Sequence, residues 1–131
     1  MMENVSASAL AYLGDSVAEL LVREMLVRKG VSNAGKLNEM ALGYVRAAEQ
    51  SRALKRLAPV LTDEETTVCR RGKNISHHSM PRNASQKEYR EATAFEALFG
   101  FLYLCGRNDR IRELFSIAFP EDGQSAHEDR E

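Results

Sequence analysis

The chain has 131 residues, 44% of them hydrophobic, and balances 18 Lys and Arg against 19 Asp and Glu for a net charge of −1. That length suits one domain with a sizeable core of its own and argues against a second module. Two cysteines, Cys69 and Cys105, lack CxxC or Cys/His ligand spacing; this excludes a disulfide framework and a structural zinc site and reads as reduced thiols of a cytoplasmic protein.

The first predicted helix carries the stripe Leu10, Leu13, Val17, Leu20 and Leu21 and stops at Gly30, after Arg28 and Lys29. Its acids and Arg23 interrupt any apolar run, so it reads neither as a signal peptide nor as a membrane span. Ser32 or Asn33 caps a second helix through about Leu42, and a third runs from about Val45 to Leu57, before Pro59. Thr62 and Glu65 have capping-box spacing and open a short helix ending near Gly72. Asn74 to Ala84 has no apolar periodicity and reads as a loop. Ser85 and Glu88 repeat the capping-box spacing and start a helix to Cys105, stopped by Gly106. This run is shorter than the roughly 20 apolar residues that cross a bilayer. A last helix fits Asp109 to Phe119, ended by Pro120. The expectation is a single all-α domain over residues 1–119, with an acidic, disordered tail over 120–131 holding Glu121, Asp122, Glu128, Asp129 and Glu131.

Two strongly apolar helical stretches, ALAYLGDSVAE and ATAFEALFGFLYL, each contain an acid that packing alone does not call for: Asp15 and Glu96. An ionised carboxylate left dry and unpaired costs several kcal/mol, about the scale that forces a partner on it. Two acids from separate helices can share a hard divalent cation through oxygen, and such a cation can activate water against a phosphate ester. At about 100° per residue Asp15 and Glu19 lie together opposite the leucine stripe, with Tyr12, Val22 and Leu26 flanking them. An exposed polar face is the simpler alternative for that side. Glu96 has Phe95, Leu98, Phe99, Phe101, Leu102 and Leu104 around it on every helical face.

Between Arg70 and Arg90 stand Arg70, Arg71, Lys73, Arg82, Lys87 and Arg90 against one acid, Glu88. Alone, such a run is better explained by a solvated surface, and its neighbour Glu96 shifts that balance. A second set, Arg46, Arg52, Lys55 and Arg56, reads as a solvated helix face. His77 and His78 lack a matching third ligand and are assigned no chemistry.

The segment AYLGDSVAE closely resembles the LGDS segment of ribonuclease III catalytic domains, and TAFEALFGFLYL resembles their second acidic helix. Arg71, Gly72, Lys73, Asn74, Pro81, Arg82, Asn83 and Tyr89 resemble the smaller Mini-ribonuclease III branch, and the likeness runs in order up to about Phe119. It implies a homodimeric, α-helical endonuclease domain that hydrolyses double-stranded RNA with Mg2+, without DNA or a membrane as partner. The small branch further implies maturation of the large-subunit (23S) ribosomal RNA precursor. The alternative is a non-catalytic RNA-binding or ribosome-associated module of the same fold.

Carried over residue by residue, the resemblance makes Asp15 and Glu96 the catalytic and metal-binding acids. Two further acids usual in larger members are here Ala11 and Thr93. The metal shell must then be completed by water, RNA oxygen or another group, with Glu19 and Thr93 the candidates. Arg70, Arg71, Lys73, Arg82 and Lys87 are the expected phosphate partners, with Asn74 and Tyr89 positioning backbone or ribose. The apolar excess around both motif helices, including Leu98, Phe99, Phe101 and Leu102, is the sequence motive for an isologous dimer.

Overall fold

A computed structural model describes residues 4–75 and 85–120, and the expected tail over 120–131, apart from Pro120, and most of the expected loop lie outside them. The described residues form six α-helices: α1 Ala7–Arg28, α2 Ala34–Val45, α3 Ala47–Leu57, α4 Asp63–Lys73, α5 Ser85–Leu104 and α6 Asn108–Ala118. A 3-10 turn, Ala58–Val60, joins α3 to the α4 cap and places Pro59 in its first turn, where the missing N–H costs nothing. Among the described residues there is no strand, and the all-α expectation holds.

The helix ends follow local chemistry. Ser6 caps α1 by accepting from the Ala9 N–H at 3.0 Å, and Asn33 caps α2 by accepting from the Lys36 N–H at 2.9 Å. Gly30 and Gly106, with φ of 94° and 71°, take the left-handed conformation that turns the chain out of α1 and α5. Between α2 and α3 only Arg46 leaves the helical region, with ψ of 151°. Ser85 is the first helical residue of α5 rather than its cap, a displacement of one position.

Helix α5 is the axis of the fold. Phe95, Leu98, Phe99 and Leu102 are fully buried, and α1, α3, α4 and α6 all pack on it. This explains why its apolar residues point in every direction, and it corrects the expectation that Leu98, Phe99, Phe101 and Leu102 are surplus for a dimer interface: all four are buried in the core of the single chain. Phe95 stacks on Phe99 with ring centroids 4.7 Å apart and meets Phe119 edge-on at 5.9 Å, tying the end of α6 to the centre of α5. The leucine stripe of α1 needs one correction. Leu20 is 67% exposed, while Ala11, Ala18, Val22, Met25 and Leu26 share the burial with Leu10, Val17 and Leu21.

One buried ion pair clamps α4 to α6. Glu65, only 2% exposed, accepts from Arg110 Nε at 2.9 Å and from its Nη2 at 2.8 Å, and also closes the capping box by accepting from the Thr62 N–H at 2.9 Å. Arg110 holds the Glu65 carboxyl below its ordinary range, against the opposing effect of burial. Removing Glu65 leaves Arg110 with Glu113 and the Val60 carbonyl as partners and costs the charge-assisted hydrogen bonds across the pair, about 1.5–3 kcal/mol. Glu65→Ala is expected to lose that much in urea denaturation at neutral pH. A carboxyl depressed on folding contributes stability above its unfolded value, near 4.5, and loses it as pH falls through the folded value. The cost of Glu65→Ala should therefore shrink in acid. A cost that stays constant down to strongly acid pH would refute the assignment.

Candidate active site

The site is made by how closely α1 and α5 cross. A Cβ on Gly14 would stand 1.6 Å from the Glu96 carbonyl oxygen and 2.8 Å from the Gly100 nitrogen; one on Gly100 would stand 2.0 Å from the Leu10 carbonyl oxygen. The two helices thus meet main chain against main chain, which only glycine permits. Asp15, next to Gly14, and Glu96, whose own carbonyl touches Gly14, are brought to one cleft by that contact. Its walls are Ser8, Ala11, Tyr12, Asp15, Ile75, Tyr89, Thr93 and Glu96, and it encloses about 270 Å³.

Asp15 stands exposed at the rim and Glu96 half-buried below it. Burial first, then the Asp15 charge and a hydrogen bond to Asp15, push the Glu96 carboxyl up to about 8, and a hydrogen bond from Gln50 pulls the other way. Two carboxyl groups this close cannot both ionise cheaply without a cation between them. The donor set is oxygen throughout, which suits a hard divalent ion such as Mg2+. Among the described residues no group of three or more His, Cys, Asp or Glu side chains is placed to hold a metal. Mg2+ tolerates this, since it commonly keeps several waters and takes one or two carboxylates.

The other expected residues divide. Thr93 and Tyr89 line the cleft, and the Thr93 hydroxyl donates to the Tyr89 carbonyl at 2.9 Å. Glu19 does not line it: this side chain pairs with Arg23 at 2.7 Å, one turn further along α1. Arg71 is half-buried and donates to the Val5 carbonyl at 2.7 Å, so it anchors the segment before α1. Arg70 and Lys73 are exposed and flank a neighbouring groove whose apolar wall includes Leu54, Leu61 and Cys69. Asn74 closes α4, its N–H donating to the Arg70 and Arg71 carbonyls, and Lys87 is exposed at the start of α5. Arg82, with His77 and His78, lies outside the described residues. In the second basic set Arg52 pairs with Glu49 and Arg56 donates to the Ala118 carbonyl, as a structural helix face would have it. Burial pushes the Cys69 thiol up to about 12, which keeps it inert beside that groove.

Sequence reasoning missed Gln50, a 2%-exposed side chain on α3 that reaches Glu96. A signal was present, since Gln50, Ala53, Leu54 and Leu57 follow helical spacing and share the buried face.

The Ribonuclease III domain family matches residues 8–107, a span holding both acids and the glycine crossing. Mini-ribonuclease 3 of Symbiobacterium thermophilum is 44% identical over 117 residues, covering 88% of this chain and 90% of that protein. Mini-ribonuclease 3 of Enterococcus faecalis is 34% identical over 125 residues, covering 94% and 95%. The crystal structure of a protein from Fusobacterium nucleatum superposes with a TM-score of 0.79 at 34% identity, over 88% of this chain and 93% of that one. The six-helix architecture, the cleft acids and these likenesses agree: this chain belongs to the Mini-ribonuclease 3 branch of the ribonuclease III family of endoribonucleases.

Proposed function

We propose that the protein is a Mg2+-dependent endoribonuclease that hydrolyses phosphodiester bonds in double-stranded RNA, with Asp15 and Glu96 as its catalytic, metal-binding acids. The observation that carries this reading is the pair of carboxyl groups held in one cleft by the Gly14–Gly100 crossing, in a chain of this family. Mg2+ held there supplies charge neutralisation at a phosphodiester and polarises water for in-line attack. Asp15 and Glu96 would hold the ion from two helices, and the wall formed by Tyr89 and Thr93 orients the RNA backbone beside it. Thr93 adds a neutral acceptor, and Glu19, occupied by Arg23, stays outside the shell.

The working form in this reading is a homodimer acting on both strands of a duplex. Tyr12, Leu20 and Val27 are 85%, 67% and 59% exposed. At about 100° per residue they fall within an arc of about 80° on α1, a surface that a second copy would cover. Ribosomal RNA precursor of the large subunit is the substrate suggested by the branch, and free Cys69 and Cys105 suit the cytoplasm.

Incubation with long duplex RNA and with single-stranded RNA, in Mg2+ and in EDTA, tests the reading. Cleavage of duplex alone, in Mg2+ alone, is the expected result, and sedimentation should give a dimer; a protein that binds duplex without ever cutting it is a binding module instead. The same RNA tests the phosphate contacts. Neutralising exposed Arg70 and Lys73 should weaken binding to unrelated duplexes alike and flatten the salt dependence by about one unit of slope per lost contact. Arg71, tied to Val5, is expected to act on folding rather than on that slope.

A further inference from the structure

The last turn of α4 is fastened at three consecutive residues. Arg71 is half-buried, and its Nη2 donates at 2.7 Å to the carbonyl of Val5, the residue before the Ser6 cap of α1. Gly72 is buried against α5, where a Cβ on it would stand 2.8 Å from the Ala94 Cα and 3.2 Å from the Ala97 Cβ. At Lys73 the main chain is held, because its carbonyl accepts from Nη1 of Arg90, on α5, at 3.1 Å. Carbonyls in the last turn of a helix have no partner within it, so a guanidinium from outside satisfies one and fixes where the helix ends. The three attachments reach both helices that carry the cleft acids. The opposite end of α4 is tied as well, by Glu64 to Arg107 at 2.9 Å, but Arg107 caps α6, which contributes nothing to the walls of the cleft.

The fastened turn carries exposed Arg70 and Lys73, and Ile75, two residues beyond it, is a wall of the acid cleft. Attraction to phosphate does not need such fastening, since cations on a loose segment attract it too. The Arg90 bond is exposed, so water can replace it at modest cost to the fold. Water cannot replace the fixed placement of the end of α4 against α5. We propose that Arg71 and Arg90 are positioning residues: they lock the last turn of α4 to the two acid-bearing helices and so set which phosphodiester lies over Asp15 and Glu96 when Arg70 and Lys73 hold the duplex. The proposal rests on the nuclease reading. A duplex gripped at a fixed offset from the acids is cut at one position. The same grip on a loose turn lets neighbouring phosphodiesters share the cleft, and each spends less time in line for attack. Misplacement by about 1 Å can cost about 100-fold in rate even when it originates far from the chemistry.

The test compares Arg71→Met, Arg71→Lys and Arg90→Met with Arg107→Met in the full chain. Three readouts are taken: duplex binding in EDTA with its salt dependence, cleavage kinetics in Mg2+, and mapping of the cut positions on an end-labelled duplex. Arg71→Met and Arg90→Met are expected to lower kcat about tenfold or more with KM, affinity and salt slope unchanged, and to spread the cuts over neighbouring phosphodiesters. Arg71→Lys keeps an N–H donor for the Val5 carbonyl and should recover most of the rate and the single cut. Arg107→Met should leave both as they are. If Arg71→Met does not fold, Arg90→Met, whose bond is exposed, decides alone. Parent rate and cut pattern in folded Arg90→Met, an equal spread of cuts in Arg107→Met, or a fall in affinity and salt slope that accounts for the lost rate would each overturn the proposal and leave the nuclease reading intact. So would unaltered protein that cuts duplexes with no preferred position. Unaltered protein that binds duplex RNA and never cuts it overturns that reading and the proposal with it.

Discussion

Asp15→Asn and Glu96→Gln are each expected to lower duplex cleavage at saturating RNA and matched Mg2+ by about a thousandfold. A cation's stabilisation of transition-state charge is worth several kcal/mol, and each 1.36 kcal/mol is about tenfold in rate. Both substitutions keep the shape of the side chain and remove its charge, so helical content and dimerisation should persist. For Glu96 the direction of the stability change can also be worked out. Its carboxyl is pushed up to about 8 in the metal-free protein, from an ordinary value of 4.5. The folded state therefore favours the protonated form; its stability is full below the ordinary value and falls as pH rises through the folded one. Without Mg2+, Glu96→Gln should match the parent protein near pH 4 and melt above it in mildly alkaline buffer, about pH 9. With Mg2+ present the parent gains Tm and the variant does not. Turnover at the parent rate in either substituted protein would remove that residue from the site.

Gly14→Ala is expected to cost about 3 kcal/mol or more, a drop in Tm on the order of 10 °C, and to abolish cleavage in the fraction that folds. The new methyl carbon would stand 1.6 Å from a main-chain oxygen, so no rotamer change can relieve it and α1 must move off α5. That movement separates Asp15 from Glu96. The comparison is Gly43→Ala on α2, where a Cβ meets nothing within 4 Å. Replacing that interior helical glycine should stabilise by about 0.5–1 kcal/mol and leave cleavage alone. A Gly14→Ala protein with the parent's melting curve and rate would show that the crossing is looser than its atoms suggest.

Much of this was legible in the sequence, and the parts that were not share a cause. Caps at Asn33 and Thr62 and stops at Gly30 and Gly106 are local chemistry, readable within a few residues. Asp15 and Glu96 stood out because an acid in an apolar helix conflicts with its surroundings. Leu20 was misplaced because helical spacing identifies a stripe but not its edges; which edge faces water depends on where α5 lies. Arg71 looked like its neighbours Arg70 and Lys73 until the fold brought Val5 to it across 66 positions of chain. Gln50 was hidden differently. Among Glu49, Arg52, Lys55 and Arg56 it passes for one more polar surface residue, and only its register with Leu54 and Leu57 separates it from them.

Because Gly14 and Gly100 set the gap between the acid-bearing helices by main-chain contact, the main-chain spacing between Asp15 and Glu96 does not depend on any rotamer. It works as a fixed gauge. The aromatic packing of Phe95 and Phe99 against Phe119, at the end of α6, is made by side chains and can drift in size and shape without resetting it. A library that randomises the core should accordingly yield many proteins of altered melting temperature that retain cutting activity, while one restricted to positions 14 and 100 should yield almost none.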